Sequence, residues 1–223
     1  MACSPRPSRP LPAPELRLVL AVSLDGRLAP PGGSAAQIGG RGDRRVLEEA
    51  LAWADGCLIG GRTLRLHGTT CLIRDPDLLE QRAQQGRSPQ PTAIAVSRSG
   101  RFAPQLRFFA QPLQRWLLGP ELPQAPAGFE AAVPLRSWPE ALAALAGLGL
   151  QRLVLLGGAE LAGALLREQL VDELQLTLCP LLLGGPHSWL PAEVALEPSR
   201  WRLLEQRRLE GEELLLRYRC LRG

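Results

Sequence analysis

Apolar residues recur along the chain in two rhythms. Residues 16–24 form a run rich in leucine and valine that stops at the turn-forming pair Asp25-Gly26, the pattern of a strand buried on both faces. A loop follows, broken by Pro30, Pro31, Gly32, Gly33, Gly39, Gly40 and Gly42. Behind Asp43, residues Val46, Leu47, Ala50, Leu51 and Ala54 fall on one helical face, which predicts a helix capped by Asp43 and running to about Ala54. Residues 57–59 read as a short strand. It ends at Gly60-Gly61-Arg62-Thr63, where absent side chains let a ligand approach the backbone. Residues 75–91 are polar and read as a mobile excursion with one helical turn, before residues 92–96 supply another buried strand.

Residues 115–118 and 131–135 read as short strands among proline-rich turns. Ser137 is a cap for a helix over 139–146, stopped by Gly147 and Gly149. A strand over 153–156 then leads through Gly157-Gly158 into a helix over 161–169. The last segments, 173–180, 200–209 and 213–221, read as strands, the final two joined by Glu210-Gly211-Glu212 as a hairpin. Strands alternating with helices early and antiparallel strands late predict an α/β domain with a mostly parallel sheet and an antiparallel edge. A single domain is expected over 15–223, preceded by a flexible arm over 1–14 that carries Pro5, Pro7, Pro10, Pro12 and Pro14.

Composition narrows the chemistry. The 223 residues are 45% hydrophobic and 22% charged, ordinary for a globular chain, and no apolar run approaches the roughly 20 residues of a membrane span. The net charge is +4 and every basic side chain is arginine, which excludes lysine catalysis and suits an anionic ligand such as a phosphorylated nucleotide. With only 4% aromatic residues there is little for base stacking, so nucleic acid is not an expected partner. The five cysteines, at 3, 57, 71, 179 and 220, form no CxxC pair, and a reduced, cytoplasmic setting is expected.

The clearest chemical signal is the run from Leu153 through Gly157-Gly158-Ala-Glu-Leu-Ala-Gly163 to Leu166. A glycine turn between a strand and a helix presents unpaired amides and the positive helix end, a fit for phosphate or pyrophosphate. The strict G-x-G-x-x-G fingerprint is absent. Arg62 with Thr63, and Ser97 with Arg98 just past a strand end, are further phosphate-side candidates; strand ends of an α/β sheet are where the three sets would converge. Ser23 and Asp25 end the first strand with two polar groups able to touch a ligand. His67 and His187 lack partners at zinc-site spacing, so no metal is expected; no G-x-S-x-G or Walker A sequence occurs.

Three blocks together resemble the reductase domain of bacterial riboflavin biosynthesis, the C-terminal half of the bifunctional deaminase-reductase, in the dihydrofolate reductase superfamily. They are Ala21-Val-Ser-Leu-Asp-Gly-Arg27, then Ala54-Asp-Gly-Cys-Leu-Ile-Gly-Gly-Arg-Thr63, and the stretch from Leu153 through Leu170-Val-Asp-Glu-Leu174 to Pro180-Leu-Leu-Leu-Gly-Gly185. The resemblance implies a three-layer α/β/α sandwich, NADPH as cofactor and a homodimer. It places the cofactor pyrophosphate on Gly158, Ala159, Glu160, Leu161, Ala162 and Gly163, with Thr63 also touching the cofactor. By the same similarity, Arg62, Ser97 and Arg98 are candidates for the adenosine 2′-phosphate, Ser23 and Asp25 border the nicotinamide and substrate as catalytic candidates, and Arg74 is the candidate for a substrate phosphate. The implied reaction sends a hydride to the ribose carbon of 5-amino-6-(5-phosphoribosylamino)uracil. The chain departs from the family pattern at Gln37-Ile38, at Leu51 where an arginine is usual, at His67-Gly68-Thr69, and at Leu156 where a glutamate is usual. Those changes keep two alternatives open: a paralogue that reduces another small heterocycle or carbonyl compound, and a nucleotide-binding protein without catalysis. The zinc deaminase signature is absent.

Overall fold

Leu16, Leu18, Leu20 and Val22 point to one side of the first strand and Val19 to the other, so β1 (Glu15–Ser23) is buried on both faces at the centre of a nine-stranded sheet. The computed structural model describes residues 13–33 and 38–222, so most of the expected proline arm and the family departure at Gln37 lie outside the described residues. The remaining strands are β2 (Gly56–Gly60), β3 (Thr92–Val96), β4 (Arg115–Gly119), β5 (Ala131–Pro134), β6 (Arg152–Leu155), β7 (Glu173–Cys179), β8 (Arg200–Arg208) and β9 (Leu214–Leu221). Their order is β5-β4-β3-β2-β6-β1-β7-β9-β8. Pairing is parallel as far as β7 and antiparallel from β7 through β9 to β8, the expected mixed sheet.

The helices are α1 (Arg41–Trp53), α2 (Gly61–His67), α3 (Pro76–Gln84), α4 (Trp138–Gly147) and α5 (Ala159–Arg167). On one face of the sheet, Leu142 and Leu145 of α4 and Leu161 and Leu165 of α5 close over Leu18, Leu58, Leu153 and Leu155. On the other, Ala50 and Leu51 of α1 and Leu78 of α3 cover Val19, Cys57 and Val154, while Leu64 of α2 and Phe108 cover Ile59, Ala93 and Leu117. These are the three layers of an α/β/α sandwich.

Three local expectations are corrected, the first two by contacts from far along the chain. Helix α1 begins at Arg41 with Gly40 as its cap residue, so Asp43 sits inside the first turn. The acceptors come instead from Glu213, whose carboxylate takes the Gly40 N–H at 2.5 Å and the Asp43 N–H at 2.7 Å. Gly42 makes that docking possible, since a Cβ there would lie 2.6 Å from the Leu209 Cβ.

The segment expected to be a mobile excursion is the nine-residue helix α3, started by Asp75, whose side chain accepts from the Asp77 and Leu78 amides. Its anchor is Arg82, 2% exposed. The guanidinium donates to the Leu51, Ala52 and Ala54 carbonyls at 3.3, 2.9 and 2.7 Å and to the Ser88 carbonyl at 2.7 Å. Helix α1 has no basic residue in its last turn, and Arg82 supplies the missing cation at its negative end. Burial pulls the Arg82 pKa down to about 10. The third correction is at the glycine segments: α2 starts at Gly61 and α5 at Ala159, so both candidate phosphate-side segments enter the first turns of helices.

Candidate cofactor and substrate cleft

Parallel strands β3, β2, β6, β1 and β7 end along one edge of the sheet, at Val96, Gly60, Leu155, Ser23 and Cys179. In open α/β sheets ligands bind outside such carboxyl ends. The Gly60 N–H donates to the Gly157 carbonyl at 3.4 Å, which ties the exit of β2 to the turn after β6. Gly157 and Gly158 have φ of 82° and 29°, conformations that side chains other than hydrogen rarely adopt. A Cβ on Gly158 would lie 2.8 Å from the Thr63 Oγ1. The first intrahelical donor of α5 is the Ala162 N–H, bonded to the Gly158 carbonyl at 3.0 Å, and no side chain caps the helix. The amides of Ala159, Glu160 and Leu161 are therefore free to serve an anion, with the Thr63 hydroxyl beside them. Arg62 pairs with Glu160 at 3.4 Å, both side chains exposed. A Cβ on Gly61 would lie 3.1 Å from the Ser97 Cβ, so the three candidate segments read from the sequence lie side by side along this edge.

The structure adds a group that sequence reasoning missed. Arg65, one turn into α2, donates to the Ser97 Oγ at 3.4 Å and the Ser99 Oγ at 3.3 Å, and its guanidinium lies 4.9 Å from the Phe102 ring centre. Its signal in the sequence is thin, an arginine three positions after Arg62 and a Ser-Arg-Ser after the third strand. Arg65 and Arg98 are both exposed, and only Arg65 has side-chain hydrogen bonds among the described residues.

Ser23 and Asp25 are held in a turn. The buried Ser23 hydroxyl donates to Asp25 at 2.6 Å and accepts the Arg27 N–H at 2.9 Å. Asp25 also accepts the Leu183 N–H at 3.1 Å and the Gly184 N–H at 2.8 Å. The hydrogen bond from Ser23, with those from Leu183 and Gly184, holds the Asp25 carboxyl at about 2, well below its ordinary range. Asp25 is thus a fixed carboxylate that fastens the exit of β1 to the loop after β7, with no proton to give at neutral pH. Asp43 is different: burial pushes its carboxyl up, against a hydrogen bond from Thr177 and with the neighbouring Glu213 acting in the same direction as burial.

The substrate-side positions separate as well. Leu51, aligned with a family arginine, is fully buried among Val19, Ile73, Leu78 and Val154, so that position is part of the core and not of the cleft. The arginines nearer the strand ends are Arg41, Arg44 and Arg45 of α1. Arg74 is exposed beside them: its backbone N–H donates to Glu48 of α1 at 2.7 Å, Arg44 faces the same carboxylate at 3.4 Å, and Arg45 pairs with Asp75. His67 is exposed at the end of α2, and Leu156 packs half-buried against the core under α1. Burial raises the Cys57 and Cys179 thiols, the latter to about 12, so neither is an activated nucleophile. Among the described residues no cluster of three metal-ligating side chains occurs and no helix is long and apolar enough to cross a membrane.

A mostly parallel sheet with this strand order, an antiparallel edge, helices on both faces and a glycine turn opening a helix at the carboxyl edge make a dihydrofolate reductase-like fold. Dihydrofolate reductase from Enterococcus faecalis superposes with a TM-score of 0.52 at 16% identity, covering 93% of this chain and 97% of that one. Within the class, the model of the RibD C-terminal domain matches residues 14–213, and the chain belongs to that family. It is 28% identical over 190 residues to the 2,5-diamino-6-ribosylamino-4(3H)-pyrimidinone 5′-phosphate reductase of Methanothermobacter thermautotrophicus, covering 77% of this chain and 80% of that protein. It is also 28% identical over 193 residues to the riboflavin biosynthesis protein RibD of Escherichia coli, where it spans 50% of the longer protein. A pyrimidine reductase-like protein from Corynebacterium diphtheriae shares the fold with a TM-score of 0.77 at 21% identity, over 94% of this chain and 93% of that one. The chain is therefore similar to the pyrimidine reductases of riboflavin biosynthesis.

Proposed function

We propose that the protein is an NADPH-dependent reductase acting on a phosphorylated ribosylamino-pyrimidine of the riboflavin type. The observation that carries this reading is the convergence of the Gly157-Gly158 turn, the free amides of α5 and the Thr63 hydroxyl at the carboxyl edge of a RibD-family sheet. The cradle fits a dinucleotide: it offers donors without a side-chain cap, and a Cβ would fill it. Residues 158–163 and Thr63 hold the pyrophosphate, with Arg62, Ser97 and Arg98 along the adenosine side.

The cofactor, when bound, supplies the hydride to the ribose carbon. The chain's own residues orient the partners and exclude water. Ser23 and Asp25 border the reacting end by fixing the β1 exit loop. Arg74, exposed and tied by its backbone N–H to Glu48, which also faces Arg44, takes the substrate phosphate. Half-buried Leu156 at the strand end favours one second reading, a paralogue in which the same cofactor reduces a less polar heterocycle.

The protein acts in the cytoplasm as a homodimer. Leu174, Leu176 and Leu178 of β7 face Tyr218, Leu216 and Leu214 of β9 in register, and with Leu203 of β8, 46% exposed, they make an apolar sheet face that a second copy would cover. Titration of the purified protein with NADPH and, separately, NADH tests the cofactor assignment: saturable binding that prefers NADPH supports it, and binding of neither refutes it. Restored growth without riboflavin in a reductase-deficient strain supports the pathway substrate. Failure at good expression, with NADPH binding intact, moves the assignment to the paralogue.

A further inference from the structure

We infer that Glu48 is a positioning residue for the substrate phosphate: by accepting the Arg74 and Asp75 backbone amides it fixes the segment that carries Arg74, and so sets the preference for a phosphorylated over an unphosphorylated substrate. The inference rests on the reading of Arg74 above and adds to it the residue that holds Arg74 in place.

Arg74 stands on a segment with no regular structure of its own. Residues 68–75 join α2 to α3 without helix or strand. An arginine on such a segment loses backbone as well as side-chain freedom when it grips a ligand, unless the backbone is already fixed. Three long side chains from elsewhere in the chain fix it. Gln111 clasps Thr70, its Oε1 accepting the Thr70 N–H at 2.9 Å and its Nε2 donating to the Thr70 carbonyl at 2.8 Å. Gln90 clasps Ile73 in the same way, at 2.9 and 2.8 Å. Glu48 completes the row: its Oε2 accepts the Arg74 N–H at 2.7 Å and the Asp75 N–H at 2.8 Å.

The third contact differs from the other two, because it is charged and acts on Arg74 itself. The Glu48 side chain is 8% exposed, so its bonds to the two amides are shielded from water. Arg44 faces its other oxygen at 3.4 Å, which leaves both carboxylate oxygens engaged. The Arg74 guanidinium takes no part. The residue is exposed, and no ion pair or side-chain hydrogen bond engages its guanidinium among the described residues. Glu48 therefore fixes where the arginine starts and leaves its charge available to a ligand.

Leu51, one turn further along α1, belongs to the same arrangement. Where the family pattern has an arginine, this chain has a fully buried leucine that shares an apolar cluster with Ile73, the neighbour of Arg74. Helix α1 thus holds the Arg74 segment twice, by apolar packing at Ile73 and by Glu48 at the next residue. With no guanidinium at position 51, phosphate binding depends the more on how well Arg74 is placed.

The test compares kcat/KM for 2,5-diamino-6-ribosylamino-4(3H)-pyrimidinone 5′-phosphate with that for the same compound lacking the phosphate, at saturating NADPH. The proteins are the wild type, Glu48→Gln, Glu48→Asp, Arg74→Ala and the double variant Glu48→Asp with Arg74→Ala. Glutamine keeps the reach and an acceptor oxygen but loses the charge. Aspartate keeps the charge and withdraws the oxygens by one bond, about 1.5 Å. Arg74→Ala is expected to lower the phosphate preference roughly 10- to 100-fold, the loss of a charge-assisted contact. Glu48→Asp is expected to lower it at least roughly 10-fold, through a higher KM for the phosphorylated compound, since misplacing a gripping group by about 1 Å costs on that order. Glu48→Gln keeps the wild-type preference, and the double variant loses no more than Arg74→Ala, because Glu48 acts only through that arginine. Unchanged turnover of the unphosphorylated compound and unchanged NADPH affinity report that each variant is folded.

Four results overturn the inference and leave Arg74 as the phosphate residue: a preference retained in Glu48→Asp, an equal loss on both compounds in that variant, the same loss in Glu48→Gln, or a deeper loss in the double variant than in Arg74→Ala. A preference unchanged in Arg74→Ala, or wild-type protein that turns over neither compound, overturns the reading of Arg74 and the inference with it.

Discussion

Replacing Gly158 by valine probes the centre of the proposed cofactor cradle. Its backbone stands at φ 29° and ψ 141°, a region essentially reserved for glycine, and a Cβ would meet the Thr63 Oγ1 at 2.8 Å. The backbone strain costs about 1–3 kcal/mol. Part of the contact is relieved when the Thr63 hydroxyl swings aside. For a chain of this size each kcal/mol lowers Tm by about 2–4 °C, so a fall of roughly 3–10 °C is expected, with folding retained. Binding suffers more. The valine side chain occupies the space over the Ala159 to Leu161 amides, and one charge-assisted hydrogen bond is worth about 1.5–3 kcal/mol, so the NADPH Kd rises at least about 10-fold. The assay pairs thermal unfolding with NADPH titration on Gly158→Val and on the double variant Gly158→Val with Thr63→Ala. Removing the hydroxyl returns part of the lost Tm but none of the lost affinity. If Gly158→Val binds NADPH as the wild type does while its Tm falls by the expected amount, the turn is a packing feature and the pyrophosphate lies elsewhere.

Further outcomes follow from other contacts. Arg82→Met leaves the last carbonyls of α1 without their buried donor and is expected to lower the unfolding free energy by about 3–5 kcal/mol, read as a fall in the urea midpoint with the slope unchanged; a shift within about 0.5 kcal/mol, the range of a surface substitution, contradicts that anchoring. Asp25 has a folded pKa of about 2 against an ordinary 3.8, so its contribution is full above pH 4 and is lost as pH falls towards 2. In Asp25→Asn the part of the acid-induced Tm decline between those values disappears, and parallel Tm curves for variant and wild type refute the clamp. Leu216→Glu places a charge in the apolar face of β7 and β9 and is expected to convert a dimer to a monomer in light scattering; a wild type that runs as a monomer at the same concentration removes that face as the dimer contact.

How much was legible in the sequence depended on where each contact comes from. Strands β1 and β3 were plain because each is buried on both faces and reads as an uninterrupted apolar run. The glycine turn before α5 and the serine cap of α4 were equally local, and the structure keeps both. The start of α1 was misjudged because a helix cap is usually local, whereas Glu213 reaches it across 170 or more positions. Polar residues 75–91 looked like a loop because the force that folds α3 is one buried arginine, three of whose backbone acceptors lie 28 or more positions upstream at the end of α1 and its cap residue Ala54. Leu51 was set among substrate positions by alignment, and only the packing of α1 shows that it belongs to the core. The residues proposed for the phosphate side were read as separate strand-end candidates. Their convergence, and the bracing of Arg65 by Ser97, needed the sheet order to become visible.

The most direct test of the account mixes the purified protein with NADPH and 2,5-diamino-6-ribosylamino-4(3H)-pyrimidinone 5′-phosphate and follows loss of the reduced-nicotinamide absorbance. The account predicts saturable oxidation of one NADPH per ribityl product formed, dependent on the substrate phosphate and weakened by Arg74→Ala. NADPH that binds saturably yet is not oxidised by this compound or by its deaminated uracil counterpart contradicts the assignment of the substrate.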